Sequence, residues 1–508
     1  VTVTVWHPVD GLLQRKGRAP QGQTADVETF TAPLGSPVSP VFTVAVEGSE
    51  TCCYSTDEGH YAKCAVGPGV AEVTVTTTGT VTTATVHPAR HGITPEITGP
   101  GSLVFTIGRV GAYVVVINDD WTRPLYVFAN PIDPDPPGPG DVTHYYAAGY
   151  YDHVRPDGTT PLNVNGALVL AAGQSCYVHG GAFLHGKISI GTDQSNVGPV
   201  NAAATLRGHG CIDSTQTSTG NGPGRPTQVG NMNGATMQGV TFVGQTHWAC
   251  PIFESVDVDL DHVQIINLAV AGSDTPDGID IVGSSRVAID GCFIRANDDA
   301  IAVKTFKQGF GPSPYWRGNV EDITVADTVI HQGDGGNGCE VGYENLDNNS
   351  SSAVVNDPVT GAEIAYVRDI AYTDVDIVRK ERDPAINYRM AGIGIHLVDG
   401  VPLSNVTYRR VNLEYVDGEF WLWLGSFFTS DYSYGDERAQ ISDVLFEDVN
   451  ISGPASLPIH VQGGGGGKTV SGLSFVRTRV NGHLLTDTST IPGAVTWEVT
   501  NTDPITFG

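Results

Sequence analysis

GVTFVG (239–244), HVQIIN (262–267) and RVAIDG (286–291) decide the fold. In each run, apolar and β-branched residues alternate with polar ones and a Gly, Asn or Asp closes the run, the pattern of a short strand. Val240, Val263 and Val287 stand 23 and 24 residues apart. Runs of the same kind begin near Ile323, Ile370, Val406, Val444 and Leu473, with longer insertions between them. A strand repeated every ~20–25 residues without intervening helices predicts a parallel β-helix, whose stacked coils leave no internal edge unpaired. Propeller blades repeat about every 40–50 residues with Trp-Asp or Gly-His signatures, which these steps do not fit.

Upstream the pattern differs. Residues 1–130 contain VFTVAVEG (41–48), AEVTVTTTGTVTTATV (71–86), SLVFTIG (102–108) and AYVVVIND (112–119) at hairpin spacing, which predicts an antiparallel β-sandwich. PIDPDPPGPGD (131–141) follows, a connector stiffened by five prolines. The expected organisation is therefore all-β: a sandwich over 1–130, a connector over 131–141 and a right-handed parallel β-helix over 142–508. A solenoid needs its ends covered, and the sandwich is a candidate cap.

The 508 residues carry 27 Lys+Arg against 55 Asp+Glu, a formal charge of −28. Repulsion of that size argues against nucleic acid or an anionic membrane as partner. No run of 18 apolar residues is present, and the opening VTVTVWHPVDG has neither the basic nor the apolar region of a signal peptide. A secreted protein whose signal has been removed is the expectation. The eight cysteines show no paired CxxC at zinc spacing, so no metal or other cofactor is expected. Cys52, Cys53 and Cys64 are close enough in sequence to close a disulfide loop.

Stacked coils bring equivalent positions to within ~4.8 Å on one face. Asp277 lies 14 residues after Val263 and Asp299 lies 12 after Val287, so Asp277 and the Asp298–Asp299 pair are expected at one angular place on consecutive coils. Glu254, 23 residues before Asp277, is expected on the preceding coil. Such a column is costly unless an acid keeps its proton or a ligand binds there. Acids beside glycine also serve as turn residues, the reading given to Asp290 and Asp322. For Asp277, Asp298 and Asp299 the stacking favours chemistry. Carboxyls with separated pKa values suit glycosidic hydrolysis, one protonating the leaving oxygen and another activating water.

TPDGIDI (275–281) followed by NDDAIAVK (297–304) resembles the aspartate segments of glycoside hydrolase families 28 (polygalacturonases) and 49 (dextranases and isopullulanases). THYYAAGYYD (143–152), GQSCYVHGGAFLHGKI (173–188) and LRGHG (206–210) look like the first strands of the family 49 helix, and PIFESVD (251–257) like its coil before the first catalytic Asp. The preceding sandwich resembles that family's N-terminal domain as well. Family 28 typically adds a Gly-His-Gly and then an Arg-x-Lys segment, neither of which follows Asp299. GCEVGYE (338–344) instead resembles family 49, matching at Glu340 and Tyr343. The insertions at 305–320 and 345–362 depart from that pattern.

The resemblance implies inverting hydrolysis of a polysaccharide, Asp298 acting as general acid and Asp277 with Asp299 holding the water. An α-glucan such as dextran ranks first, other neutral or pectic polysaccharides next. Lys304 either opposes the acids' charge or is a solvated lysine. Glu340 either meets sugar hydroxyls and tunes the acid or belongs to a structural network. Glycan sites also use aromatic platforms. Trp316, in a Gly/Pro-rich insertion, is the preferred one. Trp248, Tyr315, Trp421 and Trp423 are further candidates, the last two expected on one face because they are two apart in a strand. Rival readings are a lyase, a glycosyl or fructosyl transferase, and a non-catalytic glycan-binding β-helix.

Overall fold

The computed structural model describes residues 23–152, 166–191, 203–215, 225–245, 248–267, 276–305, 319–345, 366–382, 390–429, 433, 438–454 and 456–508. Three long parallel sheets run the length of the molecule from residue 144 onward, and each coil gives one strand to each sheet. A representative coil comprises Val256–Asp261 on the first sheet, Gln264–Asn267 on the second and Asp277–Val282 on the third. The next comprises Ser285–Asp290, Phe293–Ala296 and Ile301–Thr305. Together the sheets form a right-handed parallel β-helix.

The register corrects the sequence phase. Val287 stacks on Val258 and below Ile323 in the first sheet. Ile370, Val406 and Val444 continue that column. Val240 and Val263 instead precede the second-sheet strands Thr241–Gly244 and Gln264–Asn267, where Cys292 is the next equivalent. The 24-residue step from Val263 to Val287 thus crosses from one sheet to another. Strands of both sheets show the same two-residue alternation, so pattern alone does not tell them apart.

Inside, apolar side chains from all three sheets pack in columns. Tyr372, Tyr408, Phe446 and Phe475 stack with centroids 4.9, 4.9 and 5.0 Å apart. Two columns of left-handed residues mark the first-sheet strands: Asp257, Arg286, Asp322, Asp369, Asn405 and Asp443 within them near their starts, and His262, Asp327, Asp374, Arg410, Asp448 and Arg477 just past their ends. Asp and Asn tolerate positive φ through bonds to their own backbone. The arginines are held by the acid one coil back: Arg286 Nε lies 2.6 Å from Asp257, Arg410 2.9 Å from Asp374 and Arg477 2.6 Å from Asp448. Asp322 thus sits at a left-handed position inside the strand Val320–Ala326, not in a turn as expected.

The sandwich has a six-stranded and a five-stranded sheet. Its strands are antiparallel except that Leu125–Pro131 pairs parallel with Gly59–Val66. Among the described residues it packs on the flank of the helix, not over an end as expected. Phe30, Tyr54, Tyr61, Tyr126 and Phe128 pack on Phe183, Cys211, Val243, Ile266, Phe293, Val329 and Val378, one from each of seven successive second-sheet strands. The domain lies along the flank because its outer aromatic face must itself be buried. All eight cysteines are free and buried, so Cys52, Cys53 and Cys64 close no loop. Cys53 and Cys64 fill the sandwich core while Cys52 faces the helix.

Candidate active site

The third sheet carries the acids. In Asp277–Val282, Ile279 and Ile281 enter the core, leaving Asp280 outside. In Ile301–Thr305, Ile301 and Val303 enter it, leaving Lys304 outside. Asp277 opens its strand and Asp299 stands in the link just before the next one, on adjacent coils, joined by Gly278 N donating to Asp299 O at 2.8 Å. Asp298 N donates to Pro276 O at 3.2 Å, which brings the whole Asp298–Asp299 turn against the Asp277 coil. On the following coil Asn337 N donates to Asp299 Oδ1 at 2.7 Å. Asn337 Oδ1 in turn accepts from Ala391 N at 2.7 Å.

Trp248, not Glu254, pairs with Asp277 on the preceding coil. Glu254 lies past the far end of Trp248–Phe253, with its N–H on Val282 O, so it is no member of the column. Counting back a constant 23 residues misplaces it because the Asp277 coil has a longer loop, and six residues of strand span ~20 Å.

Lys304 is 3% exposed and sits among three carboxylates, 3.2 Å from Asp277, 2.9 Å from Asp280 and 3.4 Å from Glu344. Its ammonium also lies 4.5 Å from the centre of the Trp248 ring. It is no solvated surface lysine. Burial alone would lower its pKa, but Asp280, Glu344 and Asp277 together push it well up. Asp277 is held high by burial and by Asp280, which outweigh Lys304. Asp299 is raised by burial and then by Asp298 and Glu340. Asp298 is the acid of the turn with partial access to solvent, and burial of its carboxyl pushes it up to about 6. A cluster with more carboxyls than cations retains protons near neutral pH.

Glu340 is fully buried, its pKa pushed well up by burial. Both of its oxygens lie 2.8 Å from His396 Nδ1. It stands two coils along the column from Asp280, with Ala302 of the intervening coil between them. His396 thus holds Glu340 within the fold, while the charge of this acid also raises Asp299. Tyr343 is half-buried and stacks on His396 at 4.7 Å, behind Glu340. A Cβ at Gly394 would strike Glu340 Oε2, so the small residue makes room for the acid.

Trp421 and Trp423 do not share a face. Trp421 enters the core with Nε1 on Ala494 O at 2.9 Å. Trp423 packs outside, against Phe427 and Ala391. Leu422 and Leu424 also face the core, so regular alternation starts only after Trp421. Trp316 and Tyr315 lie outside the described residues.

Four supporting residues were missed. Asp280 was signalled by alternation in DGIDI. Asn337, Gln332 and Lys380 carry no such signal. Gln332 Nε2 donates to the carbonyl of Asp298 and, at 2.9 Å, to that of Gly335. Lys380 is fully buried and lowered to about 8 by burial, with Asp298 and Asp334 opposing. Its ammonium donates to Gly333 O at 3.1 Å and Gly335 O at 3.0 Å, which fixes the loop facing Asp298. Among the described residues no group of three His, Cys, Asp or Glu is disposed to hold a metal ion.

No curated protein sequence matches the chain. By structure it is similar to Dex49A from Penicillium minioluteum at 11% identity, covering 97% of this chain and 99% of that one with a TM-score of 0.49. It is similar to the Yersinia enterocolitica family 28 exopolygalacturonase at 10% identity, 95% and 96% coverage and a TM-score of 0.38. PfbA, a surface adhesin of Streptococcus pneumoniae, aligns at 12% identity over 71% of this chain and 84% of its own, with a TM-score of 0.36. Residues 181–421 match the model for Glycosyl hydrolases family 28. That span, a little under half of the chain, contains Asp277, Asp298, Asp299, Lys304 and Glu340.

Proposed function

We propose that the protein hydrolyses a neutral polysaccharide, an α-glucan such as dextran first, with inversion at the anomeric carbon. The observation that carries this reading is the contact of the Asp277 and Asp298–Asp299 turns on adjacent coils, with Asp298 partly open to solvent. Asp298 gives its proton to the glycosidic oxygen as the bond to the anomeric carbon breaks. Asp277 and Asp299, coupled so that one of the two keeps a proton while the other is ionised beside Lys304, hold a water that attacks from the opposite face, and the ionised one takes up its proton. Lys304 limits the charge that builds on them.

Inversion needs acid and base ~6.5–9.5 Å apart to admit the water, against about 5–5.5 Å for retention. A base shared by two acids on adjacent coils would not require a directly stacked acid–base pair, which is why inversion is proposed. A neutral substrate fits the lysines present, since Lys304 is committed to carboxylates and Lys380 to carbonyls. A pectic substrate is the second reading. It is favoured by Arg225, whose guanidinium lies 5.7 Å over Trp248 at the edge of the acid cluster.

The test incubates the protein with dextran, other α-glucans and polygalacturonate, sizes the products by chromatography and records the anomeric proton signal within minutes. Dextran fragments bearing the inverted anomer are expected. Initial retention removes the shared-base mechanism, release from polygalacturonate alone moves the substrate to the second reading, and an unsaturated product means a lyase.

A further inference from the structure

We propose that Glu58, a residue of the N-terminal sandwich, is a positioning residue for the Asp298–Asp299 turn, so that a domain outside the helix holds the proton donor in place. The inference rests on the reading of that turn as catalytic.

Glu58 lies at the tip of the hairpin joining Cys53–Thr56 to Gly59–Val66. Its carboxylate forks onto the segment that leads into the turn. Oε2 accepts from Arg295 Nη2 at 2.6 Å and Oε1 accepts from Asn297 Nδ2 at 2.8 Å. Arg295 and Asn297 are 6% and 7% exposed while the Glu58 side chain keeps 23% of its surface, so the bonds are sheltered from the helix side only. Charge-assisted bonds in such a setting are about twice as strong as neutral ones.

The grip extends to the next coil. Arg295 Nη1 donates to Ala296 O at 2.9 Å, which also accepts from Gly333 N at 2.7 Å. Gly335 N donates to Asn297 O at 2.7 Å. A Cβ at Gly333 would collide with Asn297 Oδ1 and Arg295 Nη1, so this packing leaves the two side chains little freedom while Glu58 holds them. Neighbouring Asp57 accepts from Gln245 Nε2 at 3.3 Å, a second tie between the hairpin tip and the helix. Without Glu58, Arg295 keeps a buried charge and Asn297 a buried amide, and the turn must shift to satisfy them.

The experiment compares wild type, E58A, N297A, the double variant and D298N as full-length protein, by steady-state kinetics on the glycan hydrolysed and by hydrogen exchange. A misplacement of ~1 Å costs on the order of 10²-fold in rate, so E58A is expected to lose about 10- to 100-fold in kcat with KM within about twofold. The double variant is expected to be no slower than N297A, because both changes cut the same link. Exchange of the amides of 296–300 is expected to speed up in E58A while the coil at 441–447 stays as in wild type. If E58A does not fold, E58Q, which keeps the size and loses the charge, gives the same readouts at lower amplitude. Wild-type kcat and unchanged exchange overturn the inference. Full activity in D298N overturns the catalytic reading of the turn instead, and exchange alone then decides whether Glu58 holds it.

Discussion

Asp298 differs from its neighbours in being reachable. Asp277 and Asp299 are almost fully enclosed, whereas Asp298 opens to solvent and is held at about 6. A donor must carry its proton, and a raised pKa keeps it protonated up to that value. kcat/KM is therefore expected to fall as pH rises through about 6, read from a pH–rate profile on the glycan substrate. A rate flat to pH 8 would take the donor role away from Asp298. D298N should lower kcat at least 10²-fold, since a positioned acid contributes about 10²–10⁴, with circular dichroism unchanged. These three aspartates were readable from TPDGIDI and NDDAIAVK. Lys304 was readable only as a choice between two roles, because the decision rests on Asp280 and Glu344, which converge on it through folding.

At the scale of the strand and its preceding turn, the site depends on close backbone approach. Gly336 has φ +45, and a Cβ there would meet the Asp298 carboxylate and the Asp299 amide. G336A must therefore strain the backbone or push the turn aside. It is expected to lower Tm by several degrees and kcat by an order of magnitude, ~1–3 kcal/mol of strain being typical of such sites. An unchanged Tm in differential scanning calorimetry would show that the turn yields freely. The strands themselves were legible from alternation, but their assignment to sheets was not. The column containing Asp277 and Asp299 was reached through Val263 and Val287, which belong to different sheets. The same counting put Glu254 where Trp248 stands, because insertions change the length of each coil and only hydrogen-bonded register restores the phase.

For the whole molecule, the decisive contact is the sandwich along the helix flank. Phe183, Ile266 and Phe293 are fully buried, and they lie against the sandwich rather than in the helix core. Expression of residues 142–508 alone would expose a stripe of such side chains along seven coils, large enough to drive association. The truncated protein is expected to elute from size exclusion as aggregates and to bind the dye ANS. A stable monomer with wild-type kcat would mean that the flank is not an obligatory interface and that the sandwich does not support the active site.

The sequence by itself determined the all-β composition, the solenoid, the separate N-terminal sandwich and the aspartates of the cluster. All of these follow from local alternation, turn residues and short motifs, which a chain carries whatever its partners. Only the tertiary structure decided that the sandwich lies along the flank, that the cysteines stay free and that Trp421 and Trp423 part company. It also decided that Lys304, Asn337, Gln332, Lys380 and Glu58 surround the aspartates. Each of these depends on contacts between residues far apart in the chain, whose pairing is set by register and by burial of faces rather than by any neighbouring residue.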